Sequence, residues 1–257
     1  MRLVLLQPDP VPAAQSFATA RALVHEPLGE QDLVLLPEHI APTGPFEPYL
    51  AGLRSLAADL GCHVVGGSFH QVEPTRKVNA GAVVAPDGTV VAHYEKVRPY
   101  AAERAHVEPG HALGRFELGG RRFSVLICAD FWFMDLLLGA PEAPDVVLVP
   151  AFSVTRKPTP DYSRRLWHHL AIARAYELGV FVAVSDWAHD PASPFRTSGV
   201  AGFADPTTTD PDQLWEPVPA SGHLRRDLDF AALDAFRADR RARGFFWQLA
   251  GEAGEAG

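Results

Sequence analysis

The chain has 257 residues, of which 47% are hydrophobic and 21% are charged, so it can bury a sizeable core as an ordinary globular protein. Its formal net charge of −8 offers no general attraction to nucleic acid or to an anionic membrane surface. Its sequence also lacks any run approaching the roughly 18 apolar residues that a membrane-spanning helix needs.

The opening segment and the cysteine content indicate where the protein works. Pro8 and Pro10 interrupt the first apolar run too early for a signal peptide. Two cysteines in the whole sequence do not make a disulfide framework, and zinc-ligand spacings are missing. We therefore expect a cytoplasmic protein.

Strand-like and helix-like segments alternate along the chain. Runs rich in valine and leucine predict strands, segments with apolar residues at helical spacing predict helices, and the Pro-Asp-Gly turn at 86–88 predicts a hairpin. In chain order the predicted elements are strand 2–7, helix 12–29, strand 32–38, helix 45–61, strand 62–69, hairpin 79–96, strand 121–130, helix 133–140, strand 145–152, helix 164–179, strand 180–186, strand 199–206 and helix 227–244.

This pattern predicts an α/β protein whose sheet is covered by helices, and the internal hairpin makes the sheet mixed. Internal repeats and long linkers are absent from the sequence, so we expect one domain over residues 1–250. The Gly-Glu-Ala tail, 251–257, is expected to be disordered. The segment 243–251 carries two phenylalanines and a tryptophan within five residues and is a candidate subunit contact.

Three reactive residue types stand where apolar strands end. Glu38 follows "DLVLLP", Lys96 follows "TVVAHYE", and Cys128 follows "FSVLI". Each has an ordinary explanation by itself, as a loop carboxylate, a surface lysine or a small core residue. Their shared position at strand ends is what suggests a site, because open α/β sheets place their sites there.

In these contexts the chain resembles the carbon–nitrogen hydrolase family, also called the nitrilase superfamily. The segment "LVLLPE" is similar to the family's strand-Pro-Glu motif, "NAGAVVAPDGTVVAHYEK" to its Asn, hairpin and Tyr-x-Lys segment, and "LICADFWF" to its Cys-x-Asp segment. The loop "ERAHVEPG" is similar to the one that bears a second glutamate, which falls on Glu103, although Glu108 stands close by. The resemblance covers roughly residues 2–206.

The resemblance implies an α-β-β-α sandwich of two mixed sheets, with subunits that pack helix to helix as a dimer or larger homo-oligomer. It also implies that Cys128 forms a thioester with the substrate while Glu38 acts as general base and then general acid. Lys96 and the backbone N–H of Ala129 would stabilise the oxyanion, and Glu103 would hold Lys96 and the substrate. The implied chemistry requires neither a metal nor an organic cofactor.

Elementary acid–base chemistry gives the problem that such a site must solve. Moving a proton from a free thiol, with a pKa of about 8.5, to a free carboxylate, with a pKa of about 4.3, costs roughly 6 kcal/mol. We expect the ammonium of Lys96 to lower the pKa of Cys128 and so to reduce this cost. The thiolate is the strong nucleophile that attack on an amide needs.

Several positions depart from the family pattern and bear on the substrate. Trp132 stands where many family amidases carry an arginine, and Asp186 stands where the family has an asparagine. The run "CADFW" is similar to the family's glutaminase domains and unlike the Cys-Trp-Glu of nitrilases, which favours a small primary amide. The candidate substrate-binding residues are Trp132, Phe133, Phe152 and Asp186.

Two alternatives share the same resemblance. The triad would equally support acyl transfer to an amine instead of water. A folded but catalytically inactive binding or scaffold protein is the other alternative, and the changes at Trp132, Asp186 and Ala201 are its support.

Overall fold

A computed structural model describes residues 1–138, 143–192 and 196–246. Within these ranges the helices are α1 (Ser16–Leu23), α2 (Phe46–Leu60), α3 (Asp135–Leu138), α4 (Asp161–Leu178) and α5 (Phe230–Ala242). The strands are β1 (Arg2–Gln7), β2 (Leu33–Leu35), β3 (His63–Val65), β4 (Phe69–Val72), β5 (Lys77–Val84), β6 (Val90–Glu95), β7 (Gly114–Leu118), β8 (Arg121–Val125), β9 (Val146–Pro150), β10 (Phe181–Ser185), β11 (Gly202–Ala204), β12 (Trp215–Pro217) and β13 (Gly222–Asp227). Short 3-10 turns lie at Ala13–Gln15, Ala101–Ala105, Cys128–Trp132 and Pro211–Gln213.

The strands form two mixed sheets. The first has the order β13-β1-β2-β3-β5-β4, with β6 also paired to β5, and the second has the order β12-β11-β10-β9-β8-β7. Each sheet has three parallel neighbours, β1 to β3 in the first and β8 to β10 in the second, flanked by antiparallel strands. The carboxyl ends of the parallel strands are therefore available for a site in each sheet.

Alternation along the strands explains why the two sheets stack. In β1, Leu3 and Leu5 belong to the core that includes the second sheet, whereas Val4 and Leu6 belong to the core under α1 and α2. The helix α4 packs on β10 and β11 on the far side. Four layers result, with helices outside and two sheets between them. The predicted α-β-β-α sandwich is confirmed.

One predicted helix is wrong in length. Instead of a helix over 12–29, the structure has a 3-10 turn followed by α1. This helix ends at Leu23, because Val24 adopts an extended backbone. Pro27 opposes a longer helix, because it has no N–H to donate to the carbonyl of Leu23 and its ring would clash with that carbonyl. The predicted helices that correspond to α2 and α4 do end at Gly61 and Gly179, both in the left-handed conformation.

The predicted strand 62–69 is also wrong, because it splits into β3 and β4 at Gly66 and Gly67. Gly67 has a positive φ of 60°, and a Cβ there would lie 2.0 Å from the carbonyl oxygen of Pro37. Only glycine permits this approach. The interruption thus lets the segment that carries Pro37 and Glu38 pack against the strand.

Three strands have no counterpart in the sequence prediction, namely β7, β12 and β13. The expected disordered tail, 251–257, lies outside the described residues, as does most of the candidate contact segment 243–251. Of the helices in the described ranges, none combines the length and the apolar character required to cross a membrane.

Candidate functional site

The segments that carry Glu38 and Lys96 are fixed by backbone hydrogen bonds to neighbouring strands. The N–H of Glu38 donates to the carbonyl of Ala151, 3.1 Å away, and the N–H of Lys96 donates to the carbonyl of Asn79 at 2.8 Å. The indole N–H of Trp187 donates to the carbonyl of Glu38 at 2.7 Å. These bonds tie the end of β2 to the second sheet and the end of β6 to β5.

Lys96 joins two carboxylates in a buried cluster. Its Nζ lies 2.6 Å from Oε1 of Glu38 and 2.8 Å from Oε2 of Glu103, and Lys96 and Glu38 are only 2% and 1% exposed. The amide of Asn79 donates to Glu38 and to Glu103, each at 2.8 Å. Buried charges need this degree of pairing, because removing one partner would leave another unsatisfied.

Glu103 is anchored on more sides than its neighbours. Besides the bonds to Lys96 and Asn79, its carboxylate accepts the backbone N–H of Tyr100 at 3.0 Å and lies 3.0 Å from Nε2 of His70. Glu108 is exposed, and its backbone N–H instead donates to Lys77 in β5. The geometry therefore brings Glu103 to the lysine.

Burial and pairing set the charge states of this cluster. Burial alone would lower the pKa of Lys96, but Glu38, Cys128 and Glu103 together hold it above its ordinary value. Burial would raise the pKa of Glu103, but the hydrogen bond from His70 and the charge of Lys96 hold it well below its usual range. Lys96 is therefore a cation and Glu103 an anion at neutral pH.

Cys128 begins the 3-10 turn Cys128–Trp132, and its backbone has a positive φ of 47°. Burial raises the pKa of its thiol well above the ordinary value, and so does the negative charge of Glu38, while Lys96 lowers it. The expected lowering by Lys96 is therefore present, but burial and Glu38 outweigh it, so the net pKa of the thiol is raised. The thiol is therefore protonated at neutral pH.

Asp130 connects the cysteine turn to the lysine segment. Its carboxylate accepts the backbone N–H of Val97 at 3.0 Å and that of Arg98 at 2.8 Å. Burial raises its pKa to about 6, although these two hydrogen bonds oppose the rise. The residues that follow Lys96 and Cys128 are thus held together by one buried carboxyl group.

A cavity of about 440 Å³ opens over Cys128. Its wall is mainly aromatic and apolar, and Cys128 and Ala129 line it directly. The full lining is Tyr100, Cys128, Ala129, Trp132, Phe133, Phe152, Ser153, Val154, Arg156, Lys157, Tyr162, Ser163, Leu166 and Trp167. The predicted candidates Trp132, Phe133 and Phe152 therefore lie on the wall of this cavity.

Asp186 is not among the described residues that line this cavity. It is fully buried behind Ser153, and it accepts the backbone N–H of Ser153 at 3.0 Å and that of Val200 at 2.9 Å. The hydroxyl of Ser153 donates to it as well. Burial raises the pKa of Asp186 to about 6. Its contacts hold the cavity wall in place, so direct contact with a substrate does not fit this position.

Sequence reasoning missed several residues of the site. Asn79 was visible in the hairpin motif but was not assigned to the site, and it bridges both carboxylates. His70 lies directly opposite Asn79 in the β4–β5 pairing, and His39 lies against His70 with ring centroids 4.6 Å apart. Arg156 lines the cavity from the loop after β9. Only Asn79 had a signal in the sequence, because the others depend on strand register and loop path.

The sequence matches a model of a protein family. The model described as carbon-nitrogen hydrolase matches residues 4–198. This range includes Glu38, Lys96, Glu103 and Cys128, and it contains all the described residues that line the cavity.

Among curated proteins, the chain is 27% identical over 244 residues to the omega-amidase NIT2 of Danio rerio, with 86% of this chain and 83% of that protein covered. It is 26% identical over 193 residues to the omega-amidase NIT2 of Homo sapiens, with 71% of this chain covered. The chain spans 65% of the length of that human relative.

Solved structures share the fold at low sequence identity. The protein XC1258 of Xanthomonas campestris, described as a CN-hydrolase superfamily protein with an arsenic adduct in its active site, is 21% identical with a TM-score of 0.79, covering 97% of this chain and 98% of that one. A mutant of the amidase of Nesterenkonia sp. AN1, with acrylamide added to its active-site cysteine, is 22% identical with a TM-score of 0.67, covering 95% and 99%.

Proposed function

The chain belongs to the carbon-nitrogen hydrolase family and is an amidase-type hydrolase, and from that premise we propose that it hydrolyses a small primary amide through a thioester on Cys128. The observation that supports this proposal most is the buried Lys96, paired with Glu38 and Glu103 beside a thiol that opens into a cavity. A buried acid–base cluster at a cavity is typical of a catalytic site.

The proposed acylation half-reaction starts from the protonated thiol. Glu38 takes the proton of Cys128 as the sulfur attacks the carbonyl carbon of the amide. The carbonyl oxygen becomes an oxyanion, which the ammonium of Lys96 and the backbone N–H of Ala129 stabilise. Glu38 then gives its proton to the leaving nitrogen, so that ammonia departs and an acyl thioester remains on Cys128.

The second half-reaction returns the enzyme to its starting state. Glu38 takes a proton from water, the hydroxide attacks the thioester carbon, and Lys96 again stabilises the oxyanion. The carbon–sulfur bond breaks, and Cys128 regains its proton from Glu38 as the carboxylic acid leaves. We propose that Glu103 keeps Lys96 charged and in position throughout, because its carboxylate lies 2.8 Å from the ammonium.

The charges around the cavity favour an amide that also carries a negative group. A second cavity of about 720 Å³ adjoins the first, and both are lined by Tyr100, Ala129, Phe133 and Arg156. The lining of the two cavities includes the cations Arg98, Arg104, Arg156 and Lys157, and the described lining residues include no carboxylate. Arg98 is paired with Asp135, so Arg104, Arg156 and Lys157 supply the positive charge at the cavities, in a chain whose net charge is −8.

We therefore propose a monoamide of a short dicarboxylic acid as the substrate class. Arg156, which lines both cavities, would bind the free carboxylate through its planar guanidinium, and Lys157 would add charge beside it. These cations would replace the arginine that is absent at Trp132. The similarity to proteins named omega-amidases supports this class, because their name denotes hydrolysis of a terminal amide.

The chemistry is tested by replacing the sulfur. Cys128→Ala and Cys128→Ser are assayed for ammonia release on a panel of primary amides, with Cys62→Ala as the matched control in the hydrophobic core. We expect loss of turnover by about 10⁴-fold or more in the Cys128 variants and normal turnover in the control. Undiminished turnover without the thiol would contradict the proposal. Adding an amine acceptor and measuring product ratios separates hydrolysis from acyl transfer.

The substrate class is tested by comparing succinamate with succinamide, which differ by one negative charge at nearly equal size. We expect Arg156→Met to lower kcat/KM for succinamate about tenfold more than for succinamide, mainly through KM. Arg115→Met, an exposed residue of β7 away from the cavity lining, is the matched control. Equal losses for the two amides would contradict a carboxylate contact at Arg156.

Assembly and location are proposed on separate grounds. We propose one domain over residues 1–250 that forms a homodimer through the α5 side, where Phe245 and Tyr176 are 64% and 47% exposed. Light scattering of the purified chain tests the dimer.

Both cysteines are free thiols, which supports a reducing compartment such as the cytoplasm.

A further inference from the structure

Three histidines gather beside Glu103. His39 directly follows Glu38, His70 lies in β4, and His106 follows the turn that carries Glu103. The ring centroids of His39 and His70 are 4.6 Å apart, and those of His70 and His106 are 5.6 Å apart. The proposed hydrolysis gives none of these imidazoles a proton-transfer step, and anchoring of Glu103 accounts for His70 alone, so the convergence of all three needs another explanation.

Two of these histidines and the glutamate present a set of ligand atoms. One ligand atom from each of His39, His70 and Glu103 lies within 4.8 Å of the other two, and Nε2 of His70 is 3.0 Å from Oε1 of Glu103. Four-coordinate zinc, with metal–ligand distances near 2.1 Å, needs its ligand atoms roughly 3.3 Å apart. The His70–Glu103 pair is already close to that separation, and a ligand atom of His39 lies within 4.8 Å of both.

The backbone of His39 is unusual. Its φ is 61°, a left-handed conformation that few residues other than glycine adopt. Such a conformation is retained only where surrounding structure enforces it, and it is found mostly at functional positions. Here it holds the His39 ring against His70 and within 3.8 Å of Glu38.

The local charge suits a dication. Glu38 and Glu103 contribute two negative charges and Lys96 one positive charge, so the cluster carries a net negative charge when the histidines are neutral. The side chains of His39 and His70 are 30% and 17% exposed, which leaves a path for an ion. A metal at Oε1 of Glu103 would replace the proton that His70 shares with it, while Oε2 would keep its bond to Lys96.

We propose that His39, His70 and Glu103 form a binding site for a divalent transition-metal ion of the zinc class, and that an ion there inhibits the enzyme. Two imidazoles and one carboxylate are a ligand set that zinc accepts, with a fourth position for water or for His106. The added positive charge beside Glu38 would make that carboxylate a poorer base, and it would oppose the ammonium of Lys96. The inhibition rests on the proposed function, whereas the binding does not.

Binding is tested on the Cys128→Ala variant, because a catalytic thiol would itself attract zinc. Titration calorimetry with zinc chloride should show one bound ion per chain. His70→Gln and His39→Asn, the latter compatible with a positive φ, should each weaken binding at least tenfold. His168→Gln on α4 is the matched control and should leave it unchanged. Absent binding, or binding unaffected by both site variants, would overturn the proposal.

Cobalt provides a readout of the ligands that does not depend on activity. In the wild-type chain, Co²⁺ bound at this site should give visible bands of a four-coordinate nitrogen and oxygen environment without the near-ultraviolet band of a cobalt–thiolate bond. A thiolate band would place the ion on Cys128 and overturn the proposed ligands. If the chain binds zinc but hydrolyses no amide, the proposed function is rejected and the metal site is retained. If the enzyme is active and zinc binds without inhibiting it, the proposed inhibition is rejected.

Discussion

The two sides of the site are built differently. On the acid–base side, Glu38, Lys96 and Asn79 are almost completely buried and are joined by hydrogen bonds of 2.6–2.8 Å. On the cavity side, Phe133 and Tyr162 are 44% and 58% exposed, and they lie on segments outside the sheets. On the proposed function, the chemistry would depend on buried groups that the sandwich fixes, whereas the choice of substrate would depend on side chains near the surface.

The largest expected effect comes from breaking the acid–base side at its centre. Lys96→Met should lower kcat about 10³-fold or more, because the oxyanion would lose its principal cation and two buried carboxylates would face each other. The loss is measured as ammonia release, alongside the melting temperature. A loss below tenfold in a folded variant would contradict the role proposed for Lys96.

A control separates lost catalysis from lost stability in that experiment. Adding Glu103→Gln to Lys96→Met removes one of the two unpaired charges, so part of the stability should return. Activity should not return with it, because the cation is still missing. Recovery of both together would mean that Lys96 acts only through folding.

An effect of intermediate size concerns the reactivity of the two cysteines, one at the cavity and one in the core. Cys128 opens into the cavity, whereas Cys62 is fully buried and burial raises its pKa to about 12. Iodoacetamide at neutral pH should therefore alkylate Cys128 about 100-fold faster than Cys62. The reagent is itself a small primary amide that fits the proposed site, and Glu38 can act as a base there. Mass spectrometry of digested protein measures both rates. Equal rates would remove the argument for an activated thiol and favour the scaffold alternative.

The smallest of these effects concerns Asp186, a buried group that holds the cavity wall. The folded-state pKa of Asp186 is raised to about 6 from an ordinary 3.8, so its contribution to stability is present below about pH 3.8 and is lost as the pH rises through about 6. Urea unfolding of wild type should therefore lose roughly 1.5 kcal/mol between pH 5 and pH 8 that Asp186→Asn does not lose. Asp130→Asn serves as a comparison, because the pKa of Asp130 is also raised to about 6. Identical pH slopes in wild type and Asp186→Asn would contradict this assignment.

Much of the fold was predictable, because it follows from apolar periodicity. The central strands β1, β9 and β10 are almost wholly buried and read as unbroken apolar runs. The edge strand β13 was not predictable, because "GHLRRD" is half-exposed and polar, and it is a strand only by pairing with β1. Its hydrogen bonds come from a partner some two hundred residues away, and no local pattern encodes that.

The site divides in the same way. Glu38, Lys96 and Cys128 were identifiable because each carries a motif context, and the structure brings Glu38 and Lys96 into direct contact. His70 was not, because its place beside Glu103 follows from the β4–β5 register. Arg156 could not be predicted for another reason. In the sequence, a basic loop residue that lines a cavity cannot be distinguished from any other surface cation.

The left-handed backbone at Cys128 has a consequence for how the sequence would drift. A non-glycine residue with a φ of 47° costs on the order of 1 kcal/mol, and glycine would not incur that cost. The main chain itself therefore does nothing to retain a thiol at this point. Were catalysis no longer under selection, a change of Cys128 to glycine would relieve this strain, and a well-folded descendant would lose its proposed chemistry.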